Sequence, residues 1–459
     1  MRGEGNGSGA KDGAFTPIIG VISQPMADNS IKAVKGVKDI LPADAGLWRE
    51  VERRARAQFA RFGFKEIVLP IFEKTEVFVK GVGEETDIVQ KEMYTFEDRG
   101  GESLTLRPEG TASCVRAFIE HSMYHPPGAI TKLYYFGPMF RRERPQAGRF
   151  RQFYQIGAEL FGAAEPEADA EAIHLLWLFI QSINIKGPRL YLNSLGCDVC
   201  RPPFRAALVD FLTARKERLC ETCQGRYERN PLRVFDCKAQ GCQQVMTEAP
   251  TIDRHHCPDC AAHFTRVKKG LDALTIPYEL NPRMVRGLDY YNRTVFEVTA
   301  EGLGAQNSIA GGGRYDDLIK NSGGPAVPAI GFALGVERLL ESIGAPLEFS
   351  PGHPDLFIVY MEAAADEAFR IAGRLREKGI AVEKAFKPAS LKNQMGKADK
   401  SGARFALIIG EEELTTRIAI LKDLKNSTQQ PVSLDTLEES LTPVILRSEA
   451  TKNPFPPSL

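Results

Sequence analysis

A run of arginines between two apolar segments is the first feature of this sequence that could bind a ligand. The arginines lie within residues 133–159 and are Arg141, Arg142, Arg144, Arg149 and Arg151. Guanidinium groups bind phosphate oxygens in a bidentate manner, whereas a carboxylate such as Glu159 in the same stretch requires an ammonium or imidazole partner. The flanking segments 133–140 and 150–159 predict two strands joined by a long hairpin loop. Alone, such a loop is more often a basic, solvated hairpin.

Polar residues at the start of a predicted helix form a second candidate site. A strand is predicted to end at Arg107, and the next helix begins with Glu109, Gly110 and Thr111. A glutamate and a threonine in this position usually do no more than cap a helix. On this segment alone we favour capping over the alternative, in which Glu109 and Thr111 bind an amino group.

Three further segments place polar side chains beside glycines. The first, 283–298, is a loop broken by glycine that carries Arg286, Asp289, Tyr290 and Tyr291. In the second, 306–318, three consecutive glycines allow the backbone to approach a ligand closely, although they lack the spacing and the lysine of a P-loop. The third, 329–340, passes from a strand into a helix with Glu337 and Arg338. Arg286 and Arg338 are therefore candidate ligand-binding residues.

Length and composition indicate a globular protein with more than one domain. The chain has 459 residues, of which 43% are hydrophobic and 26% charged, so we expect two or three domains with sizeable cores. Lys and Arg together number 59, as do Asp and Glu, so any basic surface must be local. No apolar run approaches the ~18 residues of a membrane span, and the N-terminal residues show no secretory signal pattern. We therefore expect a cytoplasmic protein without a membrane partner.

The order of these segments resembles the class II aminoacyl-tRNA synthetases, and in detail the histidyl-tRNA synthetases. GFKEIVLPIFE resembles the first motif of the class, FRRE followed by RQFYQIGAE resembles the second, and GFALGVERLL the third. RGLDYY and AGGGRYD resemble the two stretches that distinguish the histidine enzymes from other class II members. The resemblance extends over roughly residues 31–441.

This resemblance implies a fold class and a domain order. It implies an α+β catalytic core built on an antiparallel sheet flanked by helices, an inserted helical and cysteine-rich domain, and a C-terminal α/β anticodon-binding domain. Strands also alternate with helices after residue 354, which predicts a mainly parallel sheet there. The predicted boundaries are 1–30 for a disordered extension, 31–184 and 278–345 for the two parts of the core, 185–277 for the insertion, 354–441 for the anticodon-binding domain and 442–459 for an irregular tail.

The reaction implied by the resemblance has two steps. L-Histidine and ATP, with Mg²⁺, give histidyl-adenylate and pyrophosphate, and the histidyl group is then transferred to the 3′ end of tRNA(His). Because negative charge builds up on the α-phosphate, positioning and electrostatic stabilisation are expected to supply most of the catalysis. The resemblance also implies a homodimer.

The same resemblance assigns roles to the candidate residues. The implied catalytic residues are Arg141, which holds the α-phosphate and aligns the carboxylate, and Arg286, which lies where other class II enzymes place a metal ion. The implied ATP-binding residues are Arg141, Glu143, Phe153, Arg286 and Arg338, with Phe153 at the adenine and Arg338 at the adenine or the γ-phosphate. The implied histidine-binding residues are Glu109, Gly110, Thr111, Arg141, Gln155, Glu159, Arg286, Tyr290 and Tyr291. Within this set, Glu109, Thr111, Gln155 and Tyr290 are expected at the amino group, and Glu159 and Tyr291 at the ring nitrogens.

Eight of the nine cysteines fall in the predicted insertion. They form four pairs, Cys197 and Cys200, Cys220 and Cys223, Cys237 and Cys242, and Cys257 and Cys260. Their spacing is close to that of four-cysteine zinc sites and by itself favours structural zinc. The resemblance favours the opposite, since histidyl-tRNA synthetases need no structural zinc as a class, so we expect reduced, unligated thiols. The sequence does not determine which pairs would share an ion.

Other functions are compatible with the same fold. One is a non-catalytic paralogue, the regulatory subunit of ATP phosphoribosyltransferase in histidine biosynthesis, which lacks the C-terminal α/β domain and loses motif arginines. This chain keeps Arg141, Arg286, Arg338 and that domain. A second is a class II synthetase for threonine, proline or glycine, against which RGLDYY and Glu159 argue. A role limited to RNA binding is least favoured, because the motif residues converge on an ATP site.

Overall fold

The computed structural model describes residues 31–84, 86–145, 148–304, 307–347 and 352–441. The predicted N-terminal extension and C-terminal tail lie outside these residues. The chain forms a core around one large sheet, a cysteine-rich lobe inserted into that core, and a C-terminal unit with its own sheet. Within the described ranges, no helix has both the length and the apolar character needed to cross a membrane.

The first part of the core alternates helices and strands. In chain order these are α1 (Pro42–Arg61), β1 (Lys65–Glu66), β2 (Phe72–Lys74), α2 (Thr75–Val82), β3 (Tyr94–Glu97), β4 (Ser103–Leu106), α3 (Thr111–Glu120), β5 (Thr131–Phe140), β6 (Gln152–Phe161), α4 (Pro166–Ser182) and β7 (Arg189–Ser194). The apolar spacing that predicts a helix over 44–62 explains how α1 packs. Val51, Ala55 and Phe59 are fully buried, and the ring of Phe59 stacks on Tyr134 of β5 with 4.7 Å between ring centroids.

The inserted lobe follows β7 and returns to the core through a helix. Its helices are α5 (Arg201–Thr213), α6 (Glu221–Arg226), α7 (Gln240–Met246) and α8 (Pro258–Ala273), and the core resumes with β8 (Glu279–Leu280), β9 (Asn292–Thr299), β10 (Ser308–Arg314), α9 (Leu318–Asn321), β11 (Ala329–Gly335) and α10 (Val336–Glu341). The insertion predicted over 185–277 includes β7, yet β7 pairs with β9 in the core sheet. Leu190 and Leu192 bury their side chains in the core, so the lobe begins after β7.

The core sheet has eight strands in the order β1-β5-β6-β11-β10-β9-β7-β8. Every neighbouring pair from β5 to β7 is antiparallel, whereas the edge strands β1 and β8 run parallel to their neighbours. The predicted α+β fold on an antiparallel sheet flanked by helices is therefore confirmed, with parallel pairing only at the edges. The apolar residues of FKEIVLP predict a short buried strand over 64–70, but β1 has only two residues, both exposed, because it has one neighbour and lies at the sheet edge.

The two faces of this sheet have different environments. Successive residues of a strand point to opposite faces, so Ile156, Ala158 and Leu160 of β6 pack in the apolar cluster formed with α1 and α4. Gln155 and Glu159 of the same strand point to the other face. The polar side chains of the second motif therefore lie on the face away from α1 and α4.

The C-terminal unit is an α/β structure. Its elements are β12 (Leu356–Tyr360), α11 (Ala365–Glu377), β13 (Val382–Lys384), α12 (Leu391–Lys400), β14 (Phe405–Ile409), α13 (Glu411–Thr416), β15 (Ile418–Asp423) and β16 (Thr428–Ser433). The sheet order is β13-β12-β14-β15-β16, in which the first three strands are parallel and the last two antiparallel. The sequence does not predict β16, because its first four residues are exposed and lack apolar alternation.

Candidate active site

A cavity of about 360 Å³ opens on the polar face of the core sheet. Ten of the twelve residues that the resemblance assigns to the site line it, namely Glu109, Thr111, Arg141, Glu143, Phe153, Gln155, Arg286, Tyr290, Tyr291 and Arg338. They come from the start of α3, the β5–β6 hairpin, the loop before β9 and the start of α10. Segments far apart in the chain thus form one pocket of a size suited to small molecules.

Glu109 caps α3 and also faces the cavity. Its side chain is 3% exposed, and its carboxylate accepts hydrogen bonds from the backbone N–H groups of Thr111 (2.7 Å) and Ala112 (2.8 Å). Burial raises the pKa of Glu109 despite these hydrogen bonds, which favour the charged form. The capping interpretation is therefore confirmed for Glu109. Gly110 does not line the cavity, and a Cβ atom there would collide with the ring of Tyr135.

Glu159 is buried next to the cavity instead of lining it. It is 0% exposed and accepts hydrogen bonds from the hydroxyls of Thr111 (2.9 Å), Tyr135 (3.2 Å) and Tyr315. Burial raises the pKa of its carboxyl group to about 8, although these hydroxyls favour the charged form. Tyr315 had no assigned role in the sequence analysis, because the hydrogen bond joins residues of different strands.

Arg141 is held at the edge of the cavity by the backbone and by an aromatic ring. Its Nε donates to the carbonyl oxygen of Pro108 at 2.9 Å, and its guanidinium lies 5.2 Å from the centroid of the Phe153 ring. Glu143 lies 3.9 Å from Arg141 and forms a closer ion pair of 2.9 Å with Arg149. The hairpin loop thus presents alternating positive and negative groups to the cavity.

Arg338 connects the hairpin loop to β10. Its Nε donates to the carbonyl oxygen of Gly148 (3.1 Å) and its Nη1 to that of Ser308 (2.8 Å). Burial lowers the pKa of Arg338. The neighbouring Glu337, which also lines the cavity, accepts a hydrogen bond from the backbone N–H of Tyr154 at 3.0 Å, and burial raises its pKa to about 7.

Arg286 pairs with a carboxylate that the sequence analysis missed. Its Nη1 donates to Oε1 of Glu297 on β9 at 2.8 Å. Burial would lower the pKa of Arg286, but Glu297 together with Tyr291, Asp236 and Tyr290 outweighs this effect, and the pKa lies above its ordinary value. The alternation of side chains along β9 places Glu297 on the polar face, but no local pattern associates it with an arginine eleven residues earlier.

The inserted lobe contacts the loop that carries Arg286. Arg233, in a short turn at Pro231–Val234, donates to the carbonyl oxygen of Gly287 at 2.7 Å and to Oδ1 of Asp289 at 3.2 Å. Asp289, noted from the sequence, therefore pairs with the lobe and does not line the cavity. The eight cysteines of the insertion lie apart from the cavity, in two groups of four.

Comparison with known proteins gives a consistent result. A family model described as histidyl-tRNA synthetase matches residues 36–339, and one described as an anticodon binding domain matches residues 355–442. The histidine–tRNA ligase of Trichlorobacter lovleyi is 52% identical over 407 residues, which cover 88% of this chain and 96% of that protein. That of Syntrophotalea carbinolica is 49% identical over 413 residues, covering 90% and 98% respectively. The solved structure of the apo histidyl-tRNA synthetase of S. aureus is 36% identical, with a TM-score of 0.76 over 90% of this chain and 100% of that one.

Proposed function

The chain belongs to the histidyl-tRNA synthetase family, and we propose that it is an aminoacyl-tRNA ligase that attaches L-histidine to tRNA(His). In the first step the histidine carboxylate attacks the α-phosphate of ATP, which forms histidyl-adenylate and releases pyrophosphate. In the second step the 3′ end of the tRNA takes the histidyl group and AMP leaves. The convergence of ten predicted residues on one cavity carries this proposal. The family match of the C-terminal unit supports tRNA as the partner.

Two arginines act on the reacting phosphate. Arg141 binds the α-phosphate and aligns the histidine carboxylate, and Arg286 stabilises the charge that develops on the phosphate oxygens. The 2.8 Å ion pair with Glu297 supports this role, because it fixes the direction of the Arg286 guanidinium before ATP binds. Loss of one such preorganised contact typically costs about 3 kcal/mol of transition-state stabilisation.

The rest of ATP lies between the hairpin loop and α10. Two carbonyl acceptors hold Arg338, so its guanidinium is positioned to contact the adenine or the γ-phosphate. Phe153 supplies an aromatic face for the adenine. Glu143 belongs to the same ATP site.

ATP would bind here as its complex with Mg²⁺. Burial and the nearby Glu143 carboxylate raise the pKa of Glu92, which also lines the cavity. Two carboxylates that line one cavity fit Mg²⁺, which prefers oxygen ligands and would supply charge neutralisation on the phosphates. Glu92 and Glu143 are the residues of this chain that we assign to that role.

Histidine occupies the inner part of the cavity. Its ammonium group is bound by Glu109, Thr111, Gln155 and Tyr290. Gln155 supports this placement, because its Oε1 is buried and has no hydrogen-bond partner among the described residues, and a buried acceptor gains from an ammonium donor. Gly110, at the start of α3, belongs to the same site.

The imidazole ring is bound by Tyr291 and Glu159. Thr111 lines the cavity and its hydroxyl donates to the Glu159 carboxyl group at 2.9 Å, and we place one ring nitrogen where that hydroxyl lies. A site that hydrogen-bonds both ring nitrogens rejects side chains of similar size, since buried polar groups left unpaired are costly.

The functional unit is a homodimer in the cytoplasm. Val68, Ile71 and Phe72, in the segment that resembles the first class II motif, are 85%, 47% and 54% exposed. Neighbouring apolar side chains that are exposed to this extent favour an interaction surface. We assign this surface to the contact between two copies of the chain.

Pyrophosphate exchange with a panel of amino acids tests the assignment. Exchange should occur with histidine and not with threonine, proline or glycine. Exchange with another amino acid would contradict the specificity and leave the class II assignment intact. No exchange with any of them, from folded and dimeric protein, would favour the regulatory paralogue.

A further inference from the structure

Eight cysteines of the inserted lobe are gathered into two groups of four. The first group is Cys197, Cys200, Cys257 and Cys260, and the second is Cys220, Cys223, Cys237 and Cys242. Within each group the four Sγ atoms lie within 4.8 Å of one another. The first and last pairs in the sequence therefore form one group, and the two middle pairs form the other. The sequence spacing alone does not determine this grouping.

The distances between sulfur atoms fit a single ion at the centre of each group. Cys197 Sγ lies 3.8 Å from the Sγ atoms of both Cys200 and Cys257, and Cys220 Sγ lies 3.7 Å from that of Cys237. A disulfide requires about 2.05 Å, so these sulfurs are not bonded to each other. Four thiolates in a tetrahedron around Zn²⁺, each about 2.3 Å from the ion, are about 3.8 Å apart. An iron–sulfur cluster places several atoms between its cysteines and needs wider separations.

Backbone amides support the sulfurs as thiolates. The N–H of Cys257 donates to Cys200 Sγ at 3.1 Å in the first group, and the N–H of Cys220 donates to Cys242 Sγ at the same distance in the second. Such hydrogen bonds favour the charged form of the sulfur, which is the form that binds metal. Each group thus has one such hydrogen bond from a backbone amide to a sulfur atom, although the spacing between its cysteines in the sequence differs from that of the other group.

The lobe has little else to stabilise it. Its helices α6 and α7 have six and seven residues, and helices this short are not stable alone. The lobe has a small apolar core around Phe204, Leu208 and Val245, to which Cys223 and Cys242 themselves belong. Metal-binding free energy commonly replaces a larger core in small units of this kind.

We propose that each group binds one structural Zn²⁺ through four thiolates, giving two ions per chain. A closed set of four protein ligands leaves no position for a substrate, so the ions have a structural role and not a catalytic one. The sequence resemblance alone favours unligated thiols. The fold favours zinc instead, because it brings two pairs of cysteines together in each group with their Sγ atoms within 4.8 Å of one another.

The two sites adjoin residues that hold the loop 286–291. Arg201, which follows Cys200, donates to the carbonyl oxygen of Tyr291. Arg233, between Cys223 and Cys237, donates to that of Gly287 at 2.7 Å. The ions therefore stabilise the lobe that positions this loop. The effect of the loop on activity rests on the proposed function, but the number of zinc ions per chain does not.

Metal analysis of the full-length chain, purified in reducing buffer without chelators, tests the proposal. We expect two zinc ions per wild-type chain, and one in Cys200→Ser or Cys223→Ser. Cys114→Ala is the matched control, because Cys114 is buried in α3 outside both groups, and it should retain two. Wild-type protein that holds no zinc after incubation with excess ZnCl₂, or that holds iron in its place, would overturn the proposal.

Two measurements on the wild-type protein test the proposal even if the cysteine variants fail to fold. After the metal is exchanged for Co²⁺, the visible absorption should show tetrahedral thiolate coordination at two equivalents. Titration with a mercurial reagent should release two zinc ions as eight thiols react. Free reaction of the thiols without zinc release would contradict the two sites, whatever amino acid the enzyme activates.

Discussion

The guanidinium of Arg286 lies directly against the backbone of Gly311. A Cβ atom at Gly311 would come 1.8 Å from Nη2 of Arg286, so no other residue at position 311 leaves the arginine where it is. On its other side, Nη1 donates to Glu297 at 2.8 Å. A glycine on β10 and a carboxylate on β9 thus fix the charge that we place at the α-phosphate.

Gly311→Ala should lower the rate of histidine-dependent pyrophosphate exchange by about 100-fold, because it displaces the guanidinium and removes a preorganised contact. Stopped-time exchange assays at saturating histidine and ATP would measure it. Gly373→Ala is the control, since a Cβ there meets nothing within 4 Å. Equal exchange rates in the two variants would show that the Arg286 position does not depend on Gly311.

Glu297→Gln should reduce the turnover number of exchange about tenfold while the KM values for histidine and ATP change little. The amide keeps the shape but loses the charge-assisted hydrogen bond that orients Arg286. Glu279→Gln, in a pair with Arg189 where both side chains are more than half exposed, is the matched control. A change confined to KM would mean that Glu297 acts on substrate binding instead.

Glu159→Gln should remove a pH dependence of stability. Because burial raises the pKa of Glu159 from 4.5 to about 8, the folded chain retains a proton that the unfolded chain releases between these values. The stabilising contribution is complete below the unfolded pKa and is lost as pH rises through the folded one, at roughly 1.4 kcal/mol per pH unit. Urea unfolding of both proteins across this window measures the difference. Parallel stability curves would contradict the buried, protonated carboxyl group.

Arg233→Ala should raise the KM for histidine several-fold and lower the rate of exchange, because it frees from the lobe the loop 286–291, which carries Arg286, Tyr290 and Tyr291. Arg205→Ala is a suitable control, since Arg205 contacts carbonyl oxygens of Glu228 and Arg229 within the lobe itself. Steady-state exchange kinetics for both substrates would separate the effects. Equal KM values in the two variants would assign Arg233 to the stability of the lobe alone.

Much of the fold and the cavity lining follow from local sequence patterns. The strands predicted over 133–140 and 150–159 correspond to β5 and β6, because both segments are rich in aromatic residues and are separated by a charged loop with Pro and Gly, which are local features of the sequence. Ten of the twelve residues that the family resemblance assigned to the active site also line one cavity. The short motifs quoted above occur in this chain in the order typical of the histidyl-tRNA synthetases, and that order is sufficient to identify the residues of the site.

Contacts between distant strands could not be predicted in this way. The glycines of AGGGRYD were expected to let the backbone approach a ligand, and Gly311 does line the cavity. The sequence does not predict that Gly311 also makes room for the side chain of Arg286, or that a Cβ atom at Gly312 or Gly313 would meet a backbone oxygen of a neighbouring strand. Similarly, the partners of Glu159 and the grouping of the cysteine pairs depend on which segments meet in three dimensions. A single sequence contains no local pattern that predicts contacts between segments so far apart in the chain.

Histidine-dependent pyrophosphate exchange by wild-type protein and Arg286→Ala tests the central claim most directly. We expect exchange with histidine in the wild type and a loss of at least about 100-fold in the variant. Arg189→Ala, at an exposed position on β7, should behave as wild type. An exchange rate of Arg286→Ala within about twofold of the wild-type rate would contradict the assignment of Arg286 to the α-phosphate. So small a change in rate is far less than the loss of a transition-state contact produces.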